Sequence, residues 1–164
     1  MTAAAFSLPT APPAERPAQE PVPMPHFPTG MALLSALRSP TRPAPELAQW
    51  ARRLHSIYSR RTGTTPLSPE LRRDADNTIN EINAWVARNV QRANGGATMS
   101  PVSLGELISR IVRTEKRSNE LPVSEVHAVW TRLAQHVQAY DDLLRGVTSG
   151  RYDLPDYLAE VDQL

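Results

Sequence analysis

The sequence predicts an all-α protein: a four-helix antiparallel bundle with a short N-terminal lid helix and a short C-terminal helix. Three observations carry this. From Ser124 to Ser149, the apolar residues Val126, Trp130, Leu133, Val137, Tyr140, Leu144 and Val147 recur at alternating spacings of four and three. That puts them on one narrow stripe of a helix, which is stable only when covered. Three further stretches with helical spacing are bounded by start and stop residues. No stretch alternates apolar and polar residues between turns, and no repeat of solenoid period is present.

The chain has 164 residues and sixteen prolines, eleven of them at or before Pro45. Proline fixes φ and drives its predecessor out of the helical region. Residues 1–28 are therefore expected to be a disordered, polyproline-like tail, and residues 29–164 one helical domain. P-x-x-P matches such as Pro9 and Pro12 arise by chance at this density. Within the body, Thr29 suits the N-cap of a short helix through Arg38, with Met31, Leu34 and Leu37 on one side. Pro40, Pro43 and Pro45 stop it, leaving it as a lid.

The first long helix is expected from Pro45, with Leu47, Trp50, Leu54 and Ile57 as its stripe and Gly63 as its stop. Ser68-Pro69-Glu70 opens the second with an N-cap, a first-turn proline and an acid at the positive end of the helix dipole. Its stripe is Leu71, Ala75, Ile79, Ile82, Val86 and Val90. Asn94-Gly95-Gly96 is expected to end it after about 37 Å. Ser103 and Glu106 have capping-box spacing for the third, with Leu104, Leu107, Ile108, Ile111 and Val112 inward and a Glu106–Arg110 pair one turn apart. Ser124 is expected to cap the fourth, Gly150 to end it, and Leu154 to Val161 to form a last short helix. Trp50, Trp85 and Trp130 read as core residues.

Several of these pieces, taken in order, resemble a family of small helical proteins of high-GC Gram-positive bacteria, known as a domain of unknown function (number four-two-five-four). They are Pro28-Thr29-Gly30, Trp85-Val86, Gly95-Gly96-Ala97, Leu104-Gly105-x-Leu107-Ile108-x-Arg110, Trp130-x-Arg132-Leu133-Ala134, Tyr140-Asp141-Asp142-Leu143, and Gly150-Arg151 with Leu154-Pro155. Where that family has an acid before the arginine of the third helix, this chain has Ser109. The resemblance implies a helical fold and no assigned activity.

Composition narrows the chemistry. Cysteine is absent, which excludes disulfides and thiolate metal sites. His26, His55, His127 and His136 have no metal-ligand spacing, and His127 and His136 fall about half a turn out of phase. No nucleophile elbow, P-loop or dinucleotide fingerprint occurs. Asp141-Asp142 and Asp74-x-Asp76 read as solvated carboxylates. Tyr152-x-x-x-Asp156 matches a short export tag, but the W-x-G turn of such substrates is missing. No metal, cofactor or membrane span is expected, and the absence of a basic-flanked leader points to the cytoplasm.

Charge is uneven: +7 from Arg38 to Arg117 and −5 from Ser118 to Leu164. The expected function is a non-enzymatic helical interaction protein that binds itself or another protein. The alternative is sequence-tolerant nucleic-acid binding, with Arg52, Arg53, Arg60, Arg61, Arg72 and Arg73 as phosphate contacts. A third reading is a small-ligand binder or enzyme with an inter-helix pocket at Arg110, Tyr140 and Asp141.

Overall fold

The computed structural model describes residues 26–61, 65–90 and 96–154. The helices are α1 (Gly30–Arg38), α2 (Glu46–Ser59), α3 (Pro69–Asn89), α4 (Leu104–Glu120) and α5 (Val126–Thr148). Strands β1 (Thr98–Met99) and β2 (Tyr152–Asp153) pair in parallel, Thr98 with Tyr152 and Met99 with Asp153. This bridge corrects the expectation of no strand. Two residues are too few to alternate, and β2 is brought round by a turn in which the Arg151 N–H donates to Gly146 O at 2.8 Å. Tyr152 packs on Gly146 as a result, so the tyrosine of the export-like match has a packing role. The expected C-terminal helix lies outside the described residues, as do residues 1–25, Gly63, Asn94 and Gly95.

Local chemistry starts three of the five described helices as expected. The Thr29 side chain accepts from Ala32 N, and Ser68 Oγ accepts from Leu71 N. Ser103 and Glu106 form a full capping box, with Ser103 Oγ accepting from Glu106 N at 3.0 Å. Glu106 turns back to the Ser103 N–H, and no Glu106–Arg110 ion pair forms. α2 starts one residue late, with Pro45 as its N-cap. α5 starts behind Glu125 without a side-chain cap. The Glu125 N–H bonds Pro122 O across a turn that leaves Ser124 outside the helix. α3 stops at Asn89, well before Asn94. Asn89 Nδ2 donates to Trp85 O at 2.8 Å, and Val90 is extended.

α4 is the hub. Its apolar face, Leu104, Leu107, Ile108, Ile111 and Val112, is buried as its spacing requires. It packs against α1, α2, α3 and α5. Among the described residues, no Cα of α3 lies within 8 Å of one in α5, and none of α2 within 8 Å of α5. Among the described residues α1, α2, α3 and α5 therefore all pack on α4, and one buried apolar cluster draws on all five. The gap between α2 and α5 is filled by α1, whose Leu33, Leu34 and Leu37 are buried. The short helix thus belongs to the core and is more than a lid.

Burial corrects several stripe assignments. Met31 is 63% exposed and its neighbour Leu33 is buried. Trp130 is 57% exposed, while Leu133, Val137 and Tyr140 further along the same stripe are buried. The approach of α1 to α5 is at Gly30 against Val137 and Asp141, two turns or more past Trp130. Trp50 and Trp85 are half-buried and meet edge-to-face at 5.9 Å. Phe27 meets Trp85 at 5.6 Å and Pro28 is buried, so the packed body extends at least two residues ahead of Thr29. One carboxylate is buried as well. Glu115 accepts from Asn119 Nδ2 at 2.8 Å, with Arg38 of α1 and His55 of α2 at 3.9 and 3.6 Å.

The tightest helix contact joins α3 and α4. Asn83, itself buried, accepts the Gly105 N–H at 2.9 Å, satisfying a first-turn donor of α4 from outside that helix. A Cβ at Gly105 would lie 2.7 Å from both Ile79 O and Asn83 Oδ1. Gly105→Ala is therefore expected to cost about 2–3 kcal/mol through overpacking against backbone. Asn83→Ala should cost about 1–2 kcal/mol through a buried unpaired N–H. Urea midpoints measure both, and a neutral Gly105→Ala would refute the close approach.

Candidate binding groove between α3 and α5

Because α3 and α5 stand apart, one side of α4 is left uncovered by the described residues. The opening is a groove of about 1020 Å3. Its floor repeats along α4: Glu106, Arg110, Arg113, Arg117 and Glu120 line it at spacings of four, three, four and three. They are the exposed face opposite the buried stripe. Such a floor stays open for a physical reason. A guanidinium buried without a partner costs several kcal/mol, and none of the described helices closes over it.

The walls are of mixed character. Ile79 of α3 and Val129 of α5 are half-buried apolar residues, with Leu67 and Leu121 at one end. Arg132 and His136 extend from α5, and Arg72 from α3. Arg113 lies 5.8 Å above the Tyr58 ring, a cation–π distance. The Tyr58 hydroxyl is bonded to Ser109 Oγ at 2.7 Å, so both hydroxyls are already satisfied beneath the floor. Two of the acids are also engaged: Glu106 caps α4 and Glu120 pairs with Lys116. Arg110, Arg113, Arg117 and Arg132 have no ion-pair partner within 4 Å among the described residues. The groove presents positive charge over an apolar-walled trough, which suits an anionic partner with some apolar surface.

His136 senses that field. Burial, then the charges of Arg110, Arg132 and Arg113, hold its pKa below the ordinary 6.5. The neutral imidazole is therefore the form that the folded chain favours.

The residues expected to form sites divide differently from the expectation. Arg52 spans to α1, donating from Nε to Ala36 O at 2.9 Å and from Nη2 to Ser39 O at 2.8 Å, which caps that helix. Arg53 pairs with Glu81 at 2.9 Å. Arg60 and Arg73 are exposed outside the groove, while Arg61 and Arg72 line it. The six arginines thus do not make one free phosphate-binding face. Arg110, Tyr140 and Asp141 do not form a common pocket or ion pair. Arg110 faces the groove, and the other two face α1. The Tyr140 hydroxyl donates to Pro28 O at 2.8 Å, and Asp141 Oδ1 accepts the Gly30 N–H at 2.8 Å. The carboxylate thereby meets the positive end of α1. A Cβ at Gly30 would lie 2.7 Å from Val137 Cγ1. Burial, then the neighbouring Asp141 charge, pushes the Tyr140 phenol well above its ordinary value, so it remains a donor. Asp142 turns away to Arg145 at 2.6 Å, separating the paired carboxylates. Among the described residues, no group of three or more His, Asp or Glu is placed to hold a metal ion, and no helix is long and apolar enough to cross a membrane.

Arg113 and Arg117 were not singled out by the sequence, Arg132 entered only through the family resemblance, and His136 only as a histidine without metal-ligand spacing. The three-four spacing of Arg110, Arg113 and Arg117 was there to be read, but charges at that spacing describe a solvated helix face equally well.

Two outcomes follow from these contacts. Asp141→Ala and Tyr140→Phe are each expected to cost about 1–2 kcal/mol by chemical denaturation, through the freed α1 donor and the unpaired Pro28 carbonyl. For His136, the depressed folded pKa means that the unfolded chain binds the proton first as pH falls below 6.5. Stability is then lost on acidification through that window. Replacing His136 by Gln should flatten this part of the pH profile, and an unchanged profile would contradict the neutral imidazole. Comparison with protein-family models, with curated proteins and with solved structures finds no match, so the chemistry of the groove is read from its own residues.

Proposed function

We propose that this chain is a non-enzymatic interaction protein that binds an anionic partner in the groove between α3 and α5. The observation that carries the reading is the separation of α3 from α5 over an arginine-bearing face of α4. An interior face would be apolar, and an ordinary solvated face would be convex. Here the arginines lie in a trough with apolar walls. Structural bonding of the polar groups nearby supports interaction over catalysis: Asp141, Asp142, Glu106 and the Tyr58–Ser109 pair each hold the fold together. Kinship with the helical family of unknown function belongs to the same proposal. Two of the pieces that carry the resemblance, Pro28-Thr29-Gly30 and Tyr140-Asp141, are bonded to each other.

Nucleic-acid binding is the second reading, favoured by Arg61 and Arg72 at the groove beside the α4 arginines. It is the weaker one because Arg52 and Arg53 are engaged within the fold.

Poly-L-glutamate is a plain test ligand. It is expected to bind the full chain and raise its melting temperature in proportion to the logarithm of its concentration. Replacing Arg110 and Arg113 by Ala should weaken binding at least about tenfold, as for desolvated charge contacts. Replacing Arg60 and Arg73 by Ala removes the same charge outside the groove and should change affinity far less. Equal losses in the two variants, or no binding at all, would remove the proposal.

A further inference from the structure

The groove has a shape as well as a charge. Among the described residues, α4 has α1, α2, α3 and α5 as neighbours, and the side they leave open lies between α3 and α5. Helices pack at about 8–10 Å between axes, so a rod surrounded by others has room for a further neighbour where two of them do not meet. The floor supports the same conclusion. Arg110, Arg113 and Arg117 are spaced three and four apart, one helical turn between successive charges. A straight segment lying along α4 meets a cation once per turn. Only another helix offers side chains at that rise on one face while keeping its own backbone bonded.

The walls select the rest of the occupant. Ile79 on one side and Val129 on the other are half-buried and offer apolar contact to residues flanking its charged stripe. The acids lining the groove argue against a phosphate backbone. Asp76, Glu106, Glu120 and Glu125 lie among the arginines, where a continuous run of phosphates would meet like charge. A peptide can place its acids opposite Arg110, Arg113 and Arg117 and leave neutral or basic residues opposite the others.

Resting on the reading of the groove as an anion-recognising surface, we infer that its occupant is an acidic amphipathic α-helix of a partner protein. This helix lies along α4 between α3 and α5, with carboxylates spaced three and four apart over Arg110, Arg113 and Arg117. His136 supplies an internal reporter. Arg110 and Arg113 of α4 and Arg132 of α5 face it, so an occupant that buries the ring further and brings carboxylates over those arginines changes the imidazole pKa.

The test uses the full chain and two synthetic peptides of about 20 residues. One carries Glu at spacings of three and four along one face with Leu beside it. The other has the same composition scrambled, so that charge is kept and the stripe lost. The striped peptide is expected to bind at least about tenfold more tightly by fluorescence anisotropy, to gain helical circular dichroism on binding, and to shift the His136 titration followed by NMR. R110A/R113A should abolish the preference, and R60A/R73A should keep it. Equal affinity for the two peptides, no gain of helicity, or a short DNA duplex that displaces the striped peptide at equal charge would overturn the helical occupant. In that event, continued binding of poly-L-glutamate, sensitive to R110A/R113A, would leave the anion-recognising groove standing. If poly-L-glutamate also failed to bind, both would fall.

Discussion

Three guanidinium groups on one face of α4 constrain the arrangement of everything around it. Arg110, Arg113 and Arg117 repeat at helical spacing opposite Leu107, Ile108, Ile111 and Val112. The apolar face gains by being covered, and the charged face would lose several kcal/mol per group if it were covered without partners. The chain meets both demands by wrapping helices around α4 on the apolar side and halting at α3 and α5. The groove is where the described helices leave that face open.

Halting there requires another element on the far side, and α1 fills it. A nine-residue helix is too short to persist alone in water. It is held at both ends by groups from elsewhere. Pro28 and Gly30 are bonded by Tyr140 and Asp141, and the Ala36 and Ser39 carbonyls by Arg52. Bonds spanning more than 100 residues of sequence thus set the position of α1 between α2 and α5. Glu115 of α4, buried beside Arg38 of α1 and His55 of α2, ties α1 and α2 to α4 at a further point. Arg52, outward by its sequence pattern, has a structural role because its guanidinium reaches the α1 carbonyls of Ala36 and Ser39.

Local signals were legible where the chemistry is local. Thr29, Ser68-Pro69 and the Ser103–Glu106 box act within a single turn, and each opens the helix that it announces. The buried face of α4 follows from spacing alone because neighbours cover that whole side. Legibility failed where a neighbour decides. Trp130 has the spacing of a core residue and lies beyond the stretch of α5 that α1 meets at Gly30. Asn89 ends α3 through its own side chain, a competition that periodicity does not register. The bridge between β1 and β2 joins segments more than 50 residues apart and carries no pattern. Arg110 and Asp141 looked like partners because their helices are adjacent, yet they lie on different sides of the α4–α5 pair.

The sequence by itself determined that the fold is built from helices, where three of them begin, and which face of α4 is greasy. Propensity, capping and 3.6-residue periodicity are properties of a few consecutive residues and need no partner. Tertiary structure alone decided that α3 and α5 stay apart, that α1 is wedged into the core, and that three arginines on α4 floor a trough. Those outcomes depend on which faces compete for the same neighbour, and that competition is settled by distances between segments far apart along the chain.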